Sequence, residues 1–210
     1  MAKVLVFDIS GSTGWAEFDS ENPTKPVAYG VIALEKPAKK FAEHPWGYVQ
    51  AATRLANLLV CKVHERGPEV IVIEETNGAR ARFTQKFLEY IHFAFLWQLS
   101  RSVRAYVERP EVVYINTSDW RRKMDVRLTD DDKRQNARLS RNKRKAKDRG
   151  AKLDKKALGI KGRVTIKHVA IRRANELFGL QLLAKDDDIA DALLIGSAYI
   201  RGVERCHGSD

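Results

Sequence analysis

Lys3-Val4-Leu5-Val6-Phe7-Asp8-Ile9-Ser10-Gly11-Ser12-Thr13-Gly14 is the stretch from which the architecture is read. Four apolar residues in succession, closed by a turn rich in Gly and Ser, describe a short strand buried on both faces, as in the interior of a parallel sheet. Such a strand wants no charge. An ionised carboxylate there is strongly disfavoured unless it is paired or binds a metal. Asp8 therefore either caps the following turn or has a chemical role, and the choice depends on which other carboxylates the fold brings beside it.

Outward from this strand, Trp15–Phe18 and Val27–Leu34 read as two further strands, an antiparallel meander that begins the sheet. Ala52, Leu55, Ala56, Leu59, Val60 and Val63 recur at helical spacing, giving a helix over about 47–66 that Gly67-Pro68 ends. Glu69-Val70-Ile71-Val72-Ile73-Glu74-Glu75 then repeats the form of the first strand and delivers a second carboxylate, Glu74, to its carboxyl end. Thr76–Phe83 is a polar, basic loop carrying Arg80, Arg82 and Phe83, followed by a helix from about Thr84 to Arg101. Phe87, Leu88, Ile91, Phe95 and Leu99 stripe that helix, and Tyr90, Phe93, Ala94 and Trp97 widen the stripe. So wide a face calls for two partners, either the sheet plus a second subunit or complete burial within one domain. Glu111–Ile115 is another strand, and Thr117-Ser118-Asp119-Trp120 is the capped start of a helix that runs through Arg121, Arg122 and Lys123 into a basic segment. A last pair of helices spans about 165–178, ended by Gly179, and the stretch after Lys185.

The chain has 210 residues, 44% hydrophobic and 31% charged, which fits one globular domain over 1–210. No run is long enough to span a bilayer, and the start lacks a basic region followed by a cleavage site, so neither a membrane nor a leader is expected. Cys61 and Cys206 lack metal-ligand spacing and read as unpaired thiols in a reducing cytoplasm. The net charge of +11 calls for a polyanionic partner, with nucleic acid ahead of a lipid surface. From Arg121 to Lys156 there are 16 Lys or Arg against 6 Asp, so nearly all the excess lies in one segment. With few large apolar residues and the run Arg141-Asn142-Lys143-Arg144-Lys145, the insertion at about 125–157 is expected to be mobile, or helical only when bound to phosphates.

Lys185-Asp186-Asp187-Asp188-Ile189-Ala190-Asp191-Ala192-Leu193 is the remaining informative stretch. Capping accounts for Asp186 and Asp187, but Asp191 lies a turn inside a helix and shares its face with Asp188 at i−3 or Asp187 at i−4. Like charges at that spacing are unfavourable alone, and a divalent cation between them removes the cost. If the first strand and the one from Val70 are parallel neighbours, Asp8 and Glu74 emerge together at the sheet's carboxyl edge, the usual site position in open α/β sheets. A helix against that edge adds Asp188 and Asp191. Four carboxylates in close approach call for Mg²⁺ or Mn²⁺, which prefer hard oxygen ligands. Two such ions about 4 Å apart activate water and stabilise the leaving oxygen in phosphodiester hydrolysis. An acidic metal site in a basic protein implies a nuclease.

Phe7-Asp8-Ile9-Ser10 through Thr13-Gly14-Trp15-Ala16, then Val72-Ile73-Glu74-Glu75, and finally Asp188-Ile189-Ala190-Asp191-Ala192-Leu193 resemble the three acidic motifs of RuvC-type Holliday junction resolvases, including their bacteriophage and poxvirus relatives. Gly162–Val169, with Lys167, is similar to the segment before that family's last helix. The resemblance covers most of the chain outside the basic insertion, a departure from the bacterial enzymes. It implies an RNase H-like α/β fold with a mixed five-stranded sheet flanked by helices, and a homodimer that makes paired nicks in four-way junction or other branched DNA. Two Mg²⁺ per site are implied, with Mn²⁺ as a substitute. By the same resemblance Asp8, Glu74, Asp188 and Asp191 are the metal ligands, Lys167 contacts the scissile phosphate, and Phe83 is either an unstacking wedge or a core residue. Arg80, Arg82, Arg121, Arg122, Lys123, Arg141, Lys143, Arg144 and Lys145 are the candidate DNA contacts. Two alternatives use the same residues: a ribonuclease on RNA·DNA hybrids, and a non-catalytic branched-DNA binder whose acids only cap helices. An actin-like phosphate loop at Asp8–Thr13 is the third, but such a fold needs a second lobe for which this chain is too short.

Overall fold

The first strand, β1 (Lys3–Asp8), is the centre of the sheet. The computed structural model describes residues 2–34, 44–75, 82–102, 109–150 and 162–207. Among these, four further strands pair with β1: β2 (Ser12–Asp19), β3 (Ala28–Ala33), β4 (Val70–Glu74) and β5 (Glu111–Ile115), in the order β3-β2-β1-β4-β5. β1, β2 and β3 are antiparallel, while β4 runs parallel to β1 and β5 parallel to β4, as the meander and the two buried strands require.

Period-two alternation divides β1 between two cores. Val4 and Val6 face a layer built from α3 (Thr117–Lys123), α5 (Ile166–Phe178) and α6 (Asp187–His207). Leu5 and Phe7 face α1 (Trp46–Arg66) and α2 (Arg82–Ser102). Both faces of the strand are therefore dry, which is why its sequence does not alternate. α6 approaches closely because it carries Gly196, where a Cβ would lie 2.4 Å from the Phe18 ring and 3.0 Å from Val6. None of the described helices is long and apolar enough to cross a membrane.

Three boundaries differ from the sequence expectation. α2 begins at Arg82, so Arg82 and Phe83 belong to its first turn rather than to the loop. α3 does not run into the basic segment: Met124 and Val126 are buried in the core, and the chain turns between them at Asp125, which takes a left-handed φ of 55°. The basic segment has a regular structure of its own, the 19-residue helix α4 (Asp130–Asp148). A reciprocal capping box of Thr129 and Asp132 starts it, and its buried Leu139, Asp132–Arg172 pair and Asn136 side chain tie it to neighbouring chain. Only one of these anchors, Leu139, is apolar, so the apolar periodicity that announces a helix was absent. Residues 151–161 of the insertion lie outside the described chain.

Candidate active site

Phe7 pairs with Ile73 in parallel register, so Asp8 and Glu74, the next residues, leave the sheet side by side. Asp8 keeps some surface open to solvent, yet protein atoms crowd most of it. Burial, then the charge of Glu74, then those of Asp191 and Asp188 push its carboxyl well above the usual range. Asp191, only 7% exposed, is pushed up to about 7 by burial first and by Glu74 next, with Arg121 and Lys167 pulling the other way. Asp188 is raised by burial, opposed by a hydrogen bond from Ser12 and by Lys167. The four carboxyls thus form one coupled electrostatic group. Among the described residues no three His, Cys, Asp or Glu side chains are gathered tightly enough to hold an ion as they stand. The donors are all hard oxygens, and their mutual repulsion is of the kind a divalent cation relieves.

Close contact between β2 and α6 sets the position of Asp188. An ideal Cβ on Gly14 would stand 1.8 Å from the Asp188 carbonyl oxygen and 3.1 Å from Ile189 N. Only glycine lets the amino end of α6 lie on the strand. Lys167 Nζ hydrogen-bonds Asp187 Oδ2 and lies 4.0 Å from Asp188 Oδ1; the charge of Asp188 acts on Asp8, and that of Asp187 on Asp191. A Thr165–His168 capping box starts α5 and so presents Lys167 in its first turn. Partial burial works against the Lys167 charge, but the bond to Asp187 and the charges of Asp187, Asp188 and Asp191 outweigh it and raise the ammonium's pKa.

Helix α3 and its cap add Trp120 and Asn116, whose part in the site sequence reasoning missed, and place Arg121, which it named as a DNA contact. Trp120, fully buried, donates from Nε1 to Glu74 Oε1 at 2.8 Å. Asn116 caps α3 by accepting from Ser118 N and donates through Nδ2 to Glu75 Oε2 at 2.9 Å. Arg121, stacked on the Trp120 ring at 5.1 Å, lines a cleft of about 540 Å³ together with Asp8, Ser10, Glu74 and Asn116. The indole–carboxylate bond spans 46 residues, so no local pattern announces it. Replacing Trp120 with Phe keeps most of the buried volume and removes the donor. Loss of an outer hydrogen bond to a metal-binding carboxylate costs about 10–100-fold in metal affinity or activity. We expect the Mg²⁺ concentration for half-maximal cleavage to rise by that factor in Trp120→Phe, with duplex and junction binding unchanged; an unaltered Mg²⁺ requirement would remove Trp120 from the site.

The remaining candidates divide. Arg80 lies outside the described residues, and Arg82 and Phe83 are known only as the first turn of α2. Of the three cations ending α3, only Arg121 enters the cleft. Arg122 pairs with Asp119 at 2.9 Å on the surface, and Lys123 Nζ lies 2.7 Å from where a Cβ of Gly202 would be, beside α6. Arg141, Lys143, Arg144 and Lys145 are exposed on α4.

No protein-family model matches the chain, and no curated protein matches it. Solved structures do. "T. thermophilus RuvC in complex with Holliday junction substrate" is 12% identical, covers 99% of this chain and 97% of its own, and superposes with a TM-score of 0.59. The yeast mitochondrial Holliday junction resolvase Ydc2 is 15% identical over 98% of this chain and 80% of its own, with a TM-score of 0.53. At these identities the likeness is one of architecture: the chain has the RNase H-like fold that RuvC and Ydc2 share.

Proposed function

We propose that this chain is a divalent-cation-dependent endonuclease that resolves four-way DNA junctions by paired nicks, acting as a homodimer of one nuclease domain. The observation that carries the reading is the coupled set Asp8, Glu74, Asp188 and Asp191 at the carboxyl edge of an RNase H-like sheet, in a chain of net charge +11. Asp8 and Glu74 come from adjacent strands and Asp188 and Asp191 from one helix face, so the set has the rigidity that metal ligands need. Mg²⁺ held by these four carboxylates would supply water activation and stabilisation of the leaving oxygen.

The chain's own groups take the other parts. Trp120 and the β4 register orient Glu74. Arg121, in the cleft beside the acids, and Lys167, at their other edge, are placed to draw in a phosphate and to oppose the charge that builds on it during hydrolysis. Arg80, Arg82, Phe83, Arg122, Lys123 and, on α4, Arg141 and Lys145 then hold the junction's backbone and crossover. Relatives of known structure support this substrate class, since the T. thermophilus RuvC structure contains a Holliday junction substrate. For the homodimer the support is the groove between α1 and α2, where Phe93 is 68% and Trp97 53% exposed beside Val49, Ala52, Val60 and Ala94. Exposed apolar side chains gathered in a groove, as here, are a feature of interaction surfaces.

The test is cleavage in Mg²⁺ of a labelled four-way junction, a Y-fork, a linear duplex and an RNA·DNA hybrid, with sedimentation of the protein at the assay concentration. Symmetric paired nicks confined to the junction by a dimer are the expected result. Preferential cutting of hybrid would reassign the substrate, and tight junction binding without any cutting would reduce the protein to a binding module.

A further inference from the structure

α4 carries eight Lys or Arg between residues 133 and 147 and no acid among them. Its three leading aspartates are used locally: Asp132 closes the capping box and pairs with Arg172 at 2.6 Å, and Asp130 and Asp131 pair with Lys133 and Arg134. A helical wheel at 100° per residue sorts the cations. Asp132, Gln135, Asn136, Leu139, Asn142 and Ala146 are the least exposed and form one face. Arg134, Arg138, Arg141, Lys145 and Arg149 fall within about 80° of one another on a flank of the opposite side, all exposed, and span about 22 Å of helix axis. Neighbours in this row are three or four residues apart, so each repels the next by a few tenths of a kcal/mol. The helix dipole explains cations in the last turn only. Arg134 has Asp131 beside it at 3.6 Å, but Arg138 and Arg141, well before the last turn, have no acid among their neighbours on the helix, and there the row is unfavourable until anions neutralise it.

The row is also held in place relative to the cleft. Asn136 makes two bonds to the Val164 backbone, 2.8 Å to its oxygen and 2.9 Å from its N–H, and Gln135 donates to Gly162 O at 2.7 Å. The chain so gripped leads directly into Thr165 and the α5 turn that bears Lys167. The cationic row is thus presented by a helix moored to the backbone that delivers an active-site lysine.

We propose that the edge formed by Arg134, Arg138, Arg141 and Lys145 of α4, with Arg149 at its carboxyl cap, grips the phosphate backbone of a duplex DNA arm flanking the cleavage site. It rests on the nuclease reading for the site that it flanks, and on the helix alone for the grip. The occupant is double-stranded because a straight row of this length matches a regular, evenly charged polyanion rather than a flexible one.

Two triple variants of the full-length protein test it. One is Arg138→Gln, Arg141→Gln, Lys145→Gln on the edge, and the other is Lys143→Gln, Arg144→Gln, Lys147→Gln off it. Each removes three charges, and circular dichroism verifies equal helicity. Affinity for a four-way DNA junction and for one of its arms as linear duplex is measured across salt concentration without divalent cation. The edge triple is expected to lower the slope of log K against log salt by about 2–3 on both probes, and the off-edge triple by less than about 1. Equal slope losses in the two triples, or none in either, would overturn the grip, as would stronger binding of duplex RNA than of DNA to the same edge. Failure of the nuclease reading looks different: the wild-type protein would cut no substrate while the contrast between the triples persisted.

Discussion

Replacing Asp191 with Asn is expected to abolish cleavage while making the cation-free protein harder to unfold at pH 8. Burial and Glu74 raise the Asp191 carboxyl to about 7, so the folded state favours its protonated form. The sign follows by linkage. A carboxyl whose pKa is raised on folding contributes its full stability below its unfolded pKa and loses that contribution as pH rises through the folded value. Between about pH 4 and pH 7 the cation-free protein therefore loses stability from this group, with an upper limit of about 4 kcal/mol. Asn is neutral throughout and escapes the loss. Asp8→Asn has the same sign, because burial and Glu74 raise that carboxyl as well.

Activity moves in the opposite direction. Loss of a ligand that fixes a catalytic cation removes several kcal/mol of charge stabilisation, so a fall in cleavage of about 10³-fold or more is expected in either variant. Junction binding, which depends on the basic surfaces, should be retained. Thermal unfolding with and without Mg²⁺ at pH 4 and pH 8 reads the rest: added Mg²⁺ should stabilise the wild-type protein at pH 8 and stabilise the Asn variants much less. A variant less stable than wild type at pH 8 without cation would mean that Asp191 is a structural acid with favourable partners.

The sequence pointed to these acids through local signals. Asp8 stood out because its strand is otherwise dry, and Asp188 and Asp191 because like charges one turn apart oppose the helix that contains them. Both signals are local violations of a folding rule, and such violations mark sites. The sheet was legible for a related reason: Val4 to Phe7 and Val70 to Ile73 do not alternate, so both faces had to be covered. The parts that escaped depend on contacts distant in sequence. Trp120 looks like an ordinary core residue until β4 brings Glu74 to its indole nitrogen. α4 escaped because polar side chains, Asn136 and Asp132, moor it where apolar periodicity usually would. Gly14 was read as part of a turn, although it lies within β2 and its lack of a side chain serves α6.

Gly14→Ala should accordingly be the most damaging single methyl group in the fold. Its Cβ would stand 1.8 Å from Asp188 O and 2.4 Å from Asp188 C, both backbone atoms that no rotamer change can move. To reach ordinary contact, α6 must lift from β2 by more than 1 Å at the turn that carries Asp188 and Asp191. Overpacking of this kind costs about 1–3 kcal/mol. The effect on chemistry is larger, since a misplacement of about 1 Å in a catalytic array costs about 10²-fold. Gly11→Ala is the control: it lies three residues before Gly14, on the β1–β2 connection, and its nearest neighbour is Phe87 Cε1 at 3.9 Å, an ordinary contact. Cleavage by Gly14→Ala should fall about 10²-fold at saturating junction, with the Mg²⁺ requirement raised, while Gly11→Ala behaves as wild type. If Gly14→Ala cleaved normally, the approach of α6 to β2 would not be what sets the distance from Asp188 to Asp8. The carboxylates of the helix would then have to reach those of the strands through a movement on binding DNA.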